Sequence, residues 1–396
     1  MIAKLLNNKK IILSIWILLA AISAIKQYII GNNNNYLIFK NVFYHTLKQK
    51  SLYASYPDLY FDHNHYGPIF SLFFAPFALL PDSVGMVLWC VFNALVLVYA
   101  IRQINIESSK INLILWICAH EFLTAILGQQ FNPIMTSIII LSYVLIEKEK
   151  DFWSACLIVL GTFIKLYGIV GLAFFFFSKQ KLKFIASLVF WSIVFFVLPM
   201  AISSPEFILN SYSEWFSRLV EKNNENAALS SMQDISIMGM VRKTLNMPHL
   251  SNMLFLLPGL LLFGLPYLRF NMFSNKKFQL LLLSSVLIFT VIFSSGSESP
   301  TYIIAFAGVA IWFVIQEEKT KWTWFLFIFA MILTSFSPSD IIPKFIRETY
   351  VKPYALKALP CILIWFQIIY ELLTLKKESN SSITHELIYS HSNPFI

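Results

Sequence analysis

The sequence predicts an all-helical protein that crosses a membrane about twelve times. Three observations carry that expectation. Apolar residues make up 57 % of the 396-residue chain and charged residues only 13 %, against roughly 25 % charge in a soluble domain. Phe alone occurs 38 times, more apolar surface than a water-soluble fold can hide. The apolar residues fall in long runs separated by short basic clusters, as membrane spans do. A net charge of +9 does not point to nucleic acid, because the cations form no continuous stripe.

The first apolar run, 10–30, follows the basic stretch from Met1 to Lys10 and has no small-residue cleavage site, so it reads as a retained span. Further runs lie at 83–101, 111–127, 131–147, 153–163, 166–177, 185–203, 250–268, 278–295, 300–316, 322–337 and 355–374. Several fall short of the roughly 20 residues of a perpendicular span, notably the pair on either side of Lys165. Broken spans are tolerated where they line a protein-walled cavity. With the N-terminus inside, the inner loops collect Lys4, Lys9, Lys10, Arg102, Lys110, Lys148, Lys150, Lys179, Lys181 and Lys183. They continue with Arg269, Lys276, Lys277, Lys319, Lys321, Lys376 and Lys377, so the short loops of one side are basic. An even number of spans brings the C-terminus back to that side. The expected organisation is one membrane-embedded domain over 1–377, with outer loops 31–68 and 204–249, then a polar cytoplasmic tail over 378–396.

Cys90, Cys118, Cys156 and Cys361 lie in apolar runs without a CxxC pair and read as packing residues. The short inner loops hold no GxxxxGK[ST] or GxGxxG segment, so they offer no nucleotide cradle. The chemistry is therefore sought in the outer segments.

The first outer loop opens with Asn32 to Asn35, good helix N-caps. Tyr36, Phe39, Val42, Phe43 and Leu47 then recur at helical spacing, describing an amphipathic interfacial helix. From Tyr56 to Pro68, Asp58, Asp62, His63 and His65 sit among aromatic rings that include Tyr66. A partly desolvated carboxylate there is a stronger base, and flat rings suit a sugar face. A plain solvated loop is the other reading. His63 and His65 with Asp62 are too few ligands for a metal site, and no metal is expected. Ile69 to Leu80 is too short to span and contains Pro76, which suggests a re-entrant or surface-lying helix. His120 and Glu121 face a cavity or tie two helices together. The turn from Gly128 to Asn132 brings Gln129 and Asn132 to the outer face. Lys165, alone in an apolar stretch, calls for an anionic ligand such as a lipid phosphate or for a salt bridge to Glu121. In the second outer loop Gln233 and Asp234 precede Arg242, which either grips a phosphate or meets lipid headgroups. Glu298 and Asp340 stand at the outer ends of spans, as site residues or helix caps.

In this order the segments resemble glycosyltransferase family 87, whose members use polyprenyl-phosphate sugars and have a GT-C type fold. The resemblance covers about residues 10–375. It rests on Asn35-Tyr36-Leu37-Ile38-Phe39 in place of a DF-x-x-Y segment, and on Tyr66-Gly67-Pro68 followed by Phe74-Ala75-Pro76-Phe77-Ala78-Leu79-Leu80-Pro81. Leu88-Trp89 with Asn93, Gly128-Gln129 with Asn132, Lys165, and Gln233-Asp234 before Arg242 complete it. The family's α-1,2-mannosyltransferases work on the outer face of the bacterial cytoplasmic membrane, which implies a multi-pass inner-membrane protein with both termini cytoplasmic. Two departures mark a divergent subfamily. Asn35 stands where the family has its acidic base, and Glu298 to Tyr302 stand where members tend to carry His-Tyr.

The resemblance implies an inverting hexosyltransferase. It would move a hexose, mannose first, from a polyprenyl-phosphate donor to a glycolipid or envelope glycan, with no separate cofactor. Asp62 is the expected base, with Asp58 as the alternative. Lys165 and Arg242 are expected to bind the donor phosphate, and Tyr66, Gln129, Asn132, Gln233 and Glu298 the sugar or acceptor. A lipid-linked sugar flippase and a non-catalytic envelope-glycan scaffold are the competing readings.

Overall fold

The computed structural model describes residues 7–376; the tail expected over 378–396 lies outside the described residues. The regular structure of the described residues is entirely helical, with no strand among them. The order is α1 (Lys9–Ile29), α2 (Asn34–Leu47), α3 (Phe70–Ala78), α4 (Asp82–Arg102), α5 (Ser108–Leu127), α6 (Asn132–Glu147) and α7 (Asp151–Ile164). A 3₁₀ segment, Leu166–Phe177, leads to α8 (Lys181–Val197), α9 (Pro205–Asn226), α10 (Ile237–Leu245) and α11 (Met253–Gly264). The chain ends with α12 (Lys276–Ile292), α13 (Tyr302–Val314), α14 (Lys321–Phe329) and α15 (Leu359–Thr374).

Five helical stretches are long and apolar enough to cross a membrane: Lys9–Ile29, Asp82–Arg102, Ser108–Leu127, Lys181–Ala201 and Leu356–Thr374. Others, such as Asn132–Glu147, Asp151–Ile164 and Leu166–Phe177, are apolar but shorter. Local chemistry sets several starts. The Asn8 side chain accepts from the Lys10 and Ile11 N–H groups ahead of α1, and Ser204 caps α9 with Pro205 in its first turn.

Burial sorts the helices into an interior and a rim. Every residue of α13 is buried, and α12 buries nearly all of its length. A helix apolar on all sides belongs at a centre. Gly308 lets α13 close on α12, since a Cβ there would stand 2.7 Å from the Ser284 carbonyl oxygen. Close approach at a small residue is what holds helices together in lipid, where excluding water contributes little. In contrast, α8 buries only Phe184, Ser187 and Phe195 and exposes Leu182, Ile185, Val189, Phe190 and Ile193. That face suits acyl chains.

Two elements differ from the sequence expectation. Of the two readings of α3, the surface-lying one does not hold, while nothing in the fold contradicts the re-entrant one. Phe70, Ser71, Phe74 and Ala78 are buried, and Phe39 of α2 packs edge-on against Phe70 and Phe74 at 5.0 and 5.6 Å. The Tyr36 and Tyr44 hydroxyls donate to the Phe77 and Ala78 carbonyls, satisfying groups that a helix end leaves unpaired. The Asn tract does not cap α2 through a side chain either, and Leu47 is exposed while Tyr36, Phe39, Val42 and Phe43 are buried.

The basic loops gather at one end of the bundle. Arg102 donates to the Lys9 carbonyl, Lys148 to Gln103, Lys179 pairs with Glu149 at 2.6 Å and Lys276 with Glu147 at 2.6 Å. The polar segments of the other end converge on a cavity.

Candidate active site

The cavity has a volume of about 340 Å³ and is built from seven separate stretches of chain. Asn64 folds the first outer loop: its side chain accepts from the Tyr66 N–H and donates to the Tyr66 carbonyl, both at 3.0 Å. Asn34 clips the start of α2 to Phe61 through both its amide atoms. Between these clips Asp62 takes the left-handed conformation at φ 70°, which Asp tolerates better than most residues.

The Asp62 side chain is 47 % exposed at the cavity wall. It accepts from the His63 N–H at 2.8 Å. His65 Nε2 stands 3.6 Å away and Lys222 Nζ 3.7 Å away. Burial opposes ionisation of Asp62, but the His65 ring, the His63 N–H and the Lys222 charge outweigh it and hold the carboxyl well below the usual carboxylate range. Burial pulls the His65 imidazole below its ordinary value.

Gly67 joins this loop to the break between α7 and the 3₁₀ segment. Its N–H donates to the Ile164 carbonyl at 3.0 Å, and a Cβ at Gly67 would stand 2.0 Å from the Phe163 carbonyl oxygen. Lys165 is the extended residue of that break, at φ −147° and ψ 120°. Its ammonium donates to Asn132 Oδ1 at 2.9 Å, lies 4.7 Å from the Tyr167 ring centre, and faces the cavity. The sequence alternative of a salt bridge to Glu121 does not form. Glu121 is fully buried and paired with Lys357, whose Nζ stands 3.0 and 3.1 Å from its two oxygens.

Opposite Lys165, Gln130 donates to Glu298 Oε1 at 3.0 Å. Burial raises the Glu298 carboxyl above its ordinary value, against the pull of Lys165. Asn35 also lines the cavity, with its amide donating to the Gly128 carbonyl at 2.7 Å. A carboxylate at this position would set two acceptors against each other, so the amide belongs to the local hydrogen bonding. The helix α9 completes the wall with Leu219, Lys222, Asn223 and Asn226, one face of a helix by spacing. It is docked by Trp215, whose indole N–H donates to the His65 carbonyl at 2.9 Å.

Of the residues singled out in the sequence, Asp62, Tyr66, Lys165, Gln233 and Glu298 share this cavity. Four others do not line it. Asp58 is exposed in the loop. Gln129 is buried, bonded through its amide to the Asn32 and Leu127 carbonyls, and its own carbonyl accepts from Trp89. Asn132 stands behind Lys165 and orients it. Arg242 is the main correction. Its guanidinium is buried and engaged by Asp234, Asn252 and the Leu250 carbonyl, so it cannot reach a donor phosphate in the cavity. Tyr66 is also partly committed, with its ring stacked on Phe70 at 4.5 Å.

Sequence reasoning missed Gln130, Tyr167, Lys222 and Asn223. Gln130 is next to the residue chosen, and the register of a tight turn decides which amide points inward. Lys222 is one of several charges in its loop, and the signal that could have found it is the helical spacing of Leu219, Lys222, Asn223 and Asn226.

A family model for glycosyltransferase family 87 matches residues 64–295, more than half of the chain. The chain belongs to glycosyltransferase family 87. No curated protein and no solved structure matches it. Family 87 members are membrane glycosyltransferases, in keeping with the apolar helices found here. The matched stretch contains Tyr66, Gln130, Lys165, Lys222 and Gln233, while Asn35, Asp62 and Glu298 flank it.

Proposed function

We propose that this family 87 glycosyltransferase moves a hexose, mannose first, from a polyprenyl-phosphate donor to a glycolipid or envelope glycan acceptor on the outer face of the cytoplasmic membrane. One observation supports this above the others: a single cavity holds two carboxylates, two lysines and several amides at the end of the bundle opposite the basic loops. An activated lipid donor needs no nucleotide site.

In this reading the acceptor hydroxyl attacks the anomeric carbon as the bond from that carbon to the phosphate oxygen breaks. Asp62 takes the hydroxyl proton. Being held ionised by its neighbours, it is in the acceptor form at neutral pH, although the same depression makes it a weaker base than the desolvated carboxylate expected from the sequence; its exposure leaves it within reach of an incoming hydroxyl. The electron pair of the breaking bond stays with the lipid phosphate. Lys165 stabilises that charge from the cavity wall, and Lys222 takes the part first given to Arg242. Asn132 orients Lys165. Gln130, Gln233 and Glu298 hydrogen-bond sugar hydroxyls, and Tyr66 walls the ring. Twelve spans with both termini cytoplasmic complete the proposal.

The test is sugar transfer by the purified protein with a panel of polyprenyl-phosphate sugars and extracted membrane glycolipids. Transfer from polyprenyl-phosphate mannose supports the full reading. Transfer only from another polyprenyl-phosphate sugar changes the sugar. Donor binding without transfer from any of them turns the reading toward a lipid-linked sugar flippase.

A further inference from the structure

A second cavity, of about 100 Å³, backs onto the wall that carries Glu298. Gln233 and Glu298 face the first cavity, while their neighbours Met232 and Ser299 face the second. Its charged lining is entirely cationic: Lys243 from α10, Arg347 and Lys352 from the helical turns after Pro343, and Lys357. Ser231, Ser299 and Ser337 add hydroxyls.

The carboxylates that pair with these cations lie outside the lining. Lys357 is held by Glu121, Arg347 by Asp340 and Glu348, and Lys352 by Glu348. Lys243 has no carboxylate in ion-pair contact among the described residues. Its ammonium donates to the Ser231 and Gln233 carbonyls at 2.9 and 3.0 Å, which leaves one of its three N–H groups unused. The room is that of about three waters in the liquid, enough for one tetrahedral oxyanion. Beside it, Ile341, Phe345, Ile346 and Tyr350 are exposed, an apolar fringe next to cations, as at a headgroup boundary.

We propose that this chamber is a phosphate-binding site separate from the transfer cavity, occupied by the phosphate of an anionic lipid or by free phosphate. Lys243 and Arg347 supply the direct contacts, Arg347 through Nη2, because its Nε and Nη1 are held by Glu348, Asp340 and the Pro338 carbonyl, and Lys352 closes the rim. Burial pulls the Lys243 ammonium below the usual lysine range, and a bound anion would restore it. The proposal does not rest on sugar transfer, so a failed transfer assay leaves it standing.

The experiment uses the full chain in neutral detergent, with bound short-chain phosphatidic acid counted by native mass spectrometry and phosphatidylcholine as control. The expected result is phosphatidic acid binding that weakens about tenfold in the double variant Lys243→Gln, Arg347→Gln, with phosphatidylcholine unchanged. Arg347 is partly buried, so Lys352→Glu, at an exposed residue, provides a second variant expected to lose binding without a shift in Tm. Inorganic phosphate in millimolar excess separates the sources. Complete displacement assigns the site to the free anion, and persistence of the lipid assigns it to the headgroup. Equal phosphatidic acid binding by the wild type and both variants overturns the proposal.

Discussion

Asp62 and Glu298 are two carboxylates at one cavity pushed in opposite directions. Hydrogen bonding from the His65 ring and the His63 N–H, with the Lys222 charge, favours the Asp62 anion over the cost of its burial, whereas burial dominates at Glu298. The sign fixes a pH dependence. A base whose value is depressed stays ionised as pH falls, so kcat/KM should stay flat from pH 7.5 to 5 if Asp62 takes the proton. A fall across that interval would shift the role to Glu298, the carboxyl with the raised value. Lys165→Met should lower kcat about 10²–10³-fold, the scale of losing one charge-stabilising donor. Single-turnover rates check it, and unchanged chemistry would place the leaving phosphate elsewhere. The Asp62, Lys165 and Glu298 positions were legible because an ionisable residue in an apolar chain needs a reason. Arg242 misled on the same ground, since its reason is Asp234, a partner that only the folded loop brings to it. Asp234→Ala leaves that arginine buried and unpaired, a cost of about 3–5 kcal/mol. It should show as a lowered Tm with an unaltered KM for donor in the protein that folds.

At the scale of elements, the cavity depends on junctions rather than on whole helices. The break after Ile164 leaves a carbonyl that the Gly67 N–H satisfies, as a broken span requires. The missing Cβ at Gly67 is what permits the contact. Gly67→Ala should therefore separate the first outer loop from Lys165 and lower kcat, with a Tm loss measurable in detergent. Wild-type activity in that variant would show that the junction does not set the geometry. The pair of short runs around Lys165 announced this break in the sequence, because neither run spans alone. What the sequence hid was partnering at a distance: it leaves α3 re-entrant or surface-lying, and only the folded chain brings the Tyr36 and Tyr44 hydroxyls onto its end carbonyls. The Asn tract reads as a helix cap until its amides are found bonded to Phe61 and Gly128.

For the whole molecule, composition and run spacing made the helical membrane class legible, and the buried hairpin of α12 and α13 gives it a centre. The order of helices around that centre was not legible, because apolar faces in lipid carry no polarity code for their neighbours. The two ends of the bundle differ in charge and in the cavity, which argues for opposite sides of the membrane. A maleimide too polar to cross lipid should label Glu221→Cys from outside intact spheroplasts, and Lys150→Cys only after lysis; the reverse pattern would invert the topology. The most direct measurement compares donor binding and sugar transfer in the wild type and Asp62→Asn. The expected result is unchanged affinity for the polyprenyl-phosphate sugar with turnover reduced about 10²–10⁴-fold. Transfer at the wild-type rate by Asp62→Asn would contradict the assignment of this carboxylate as the base of the reaction.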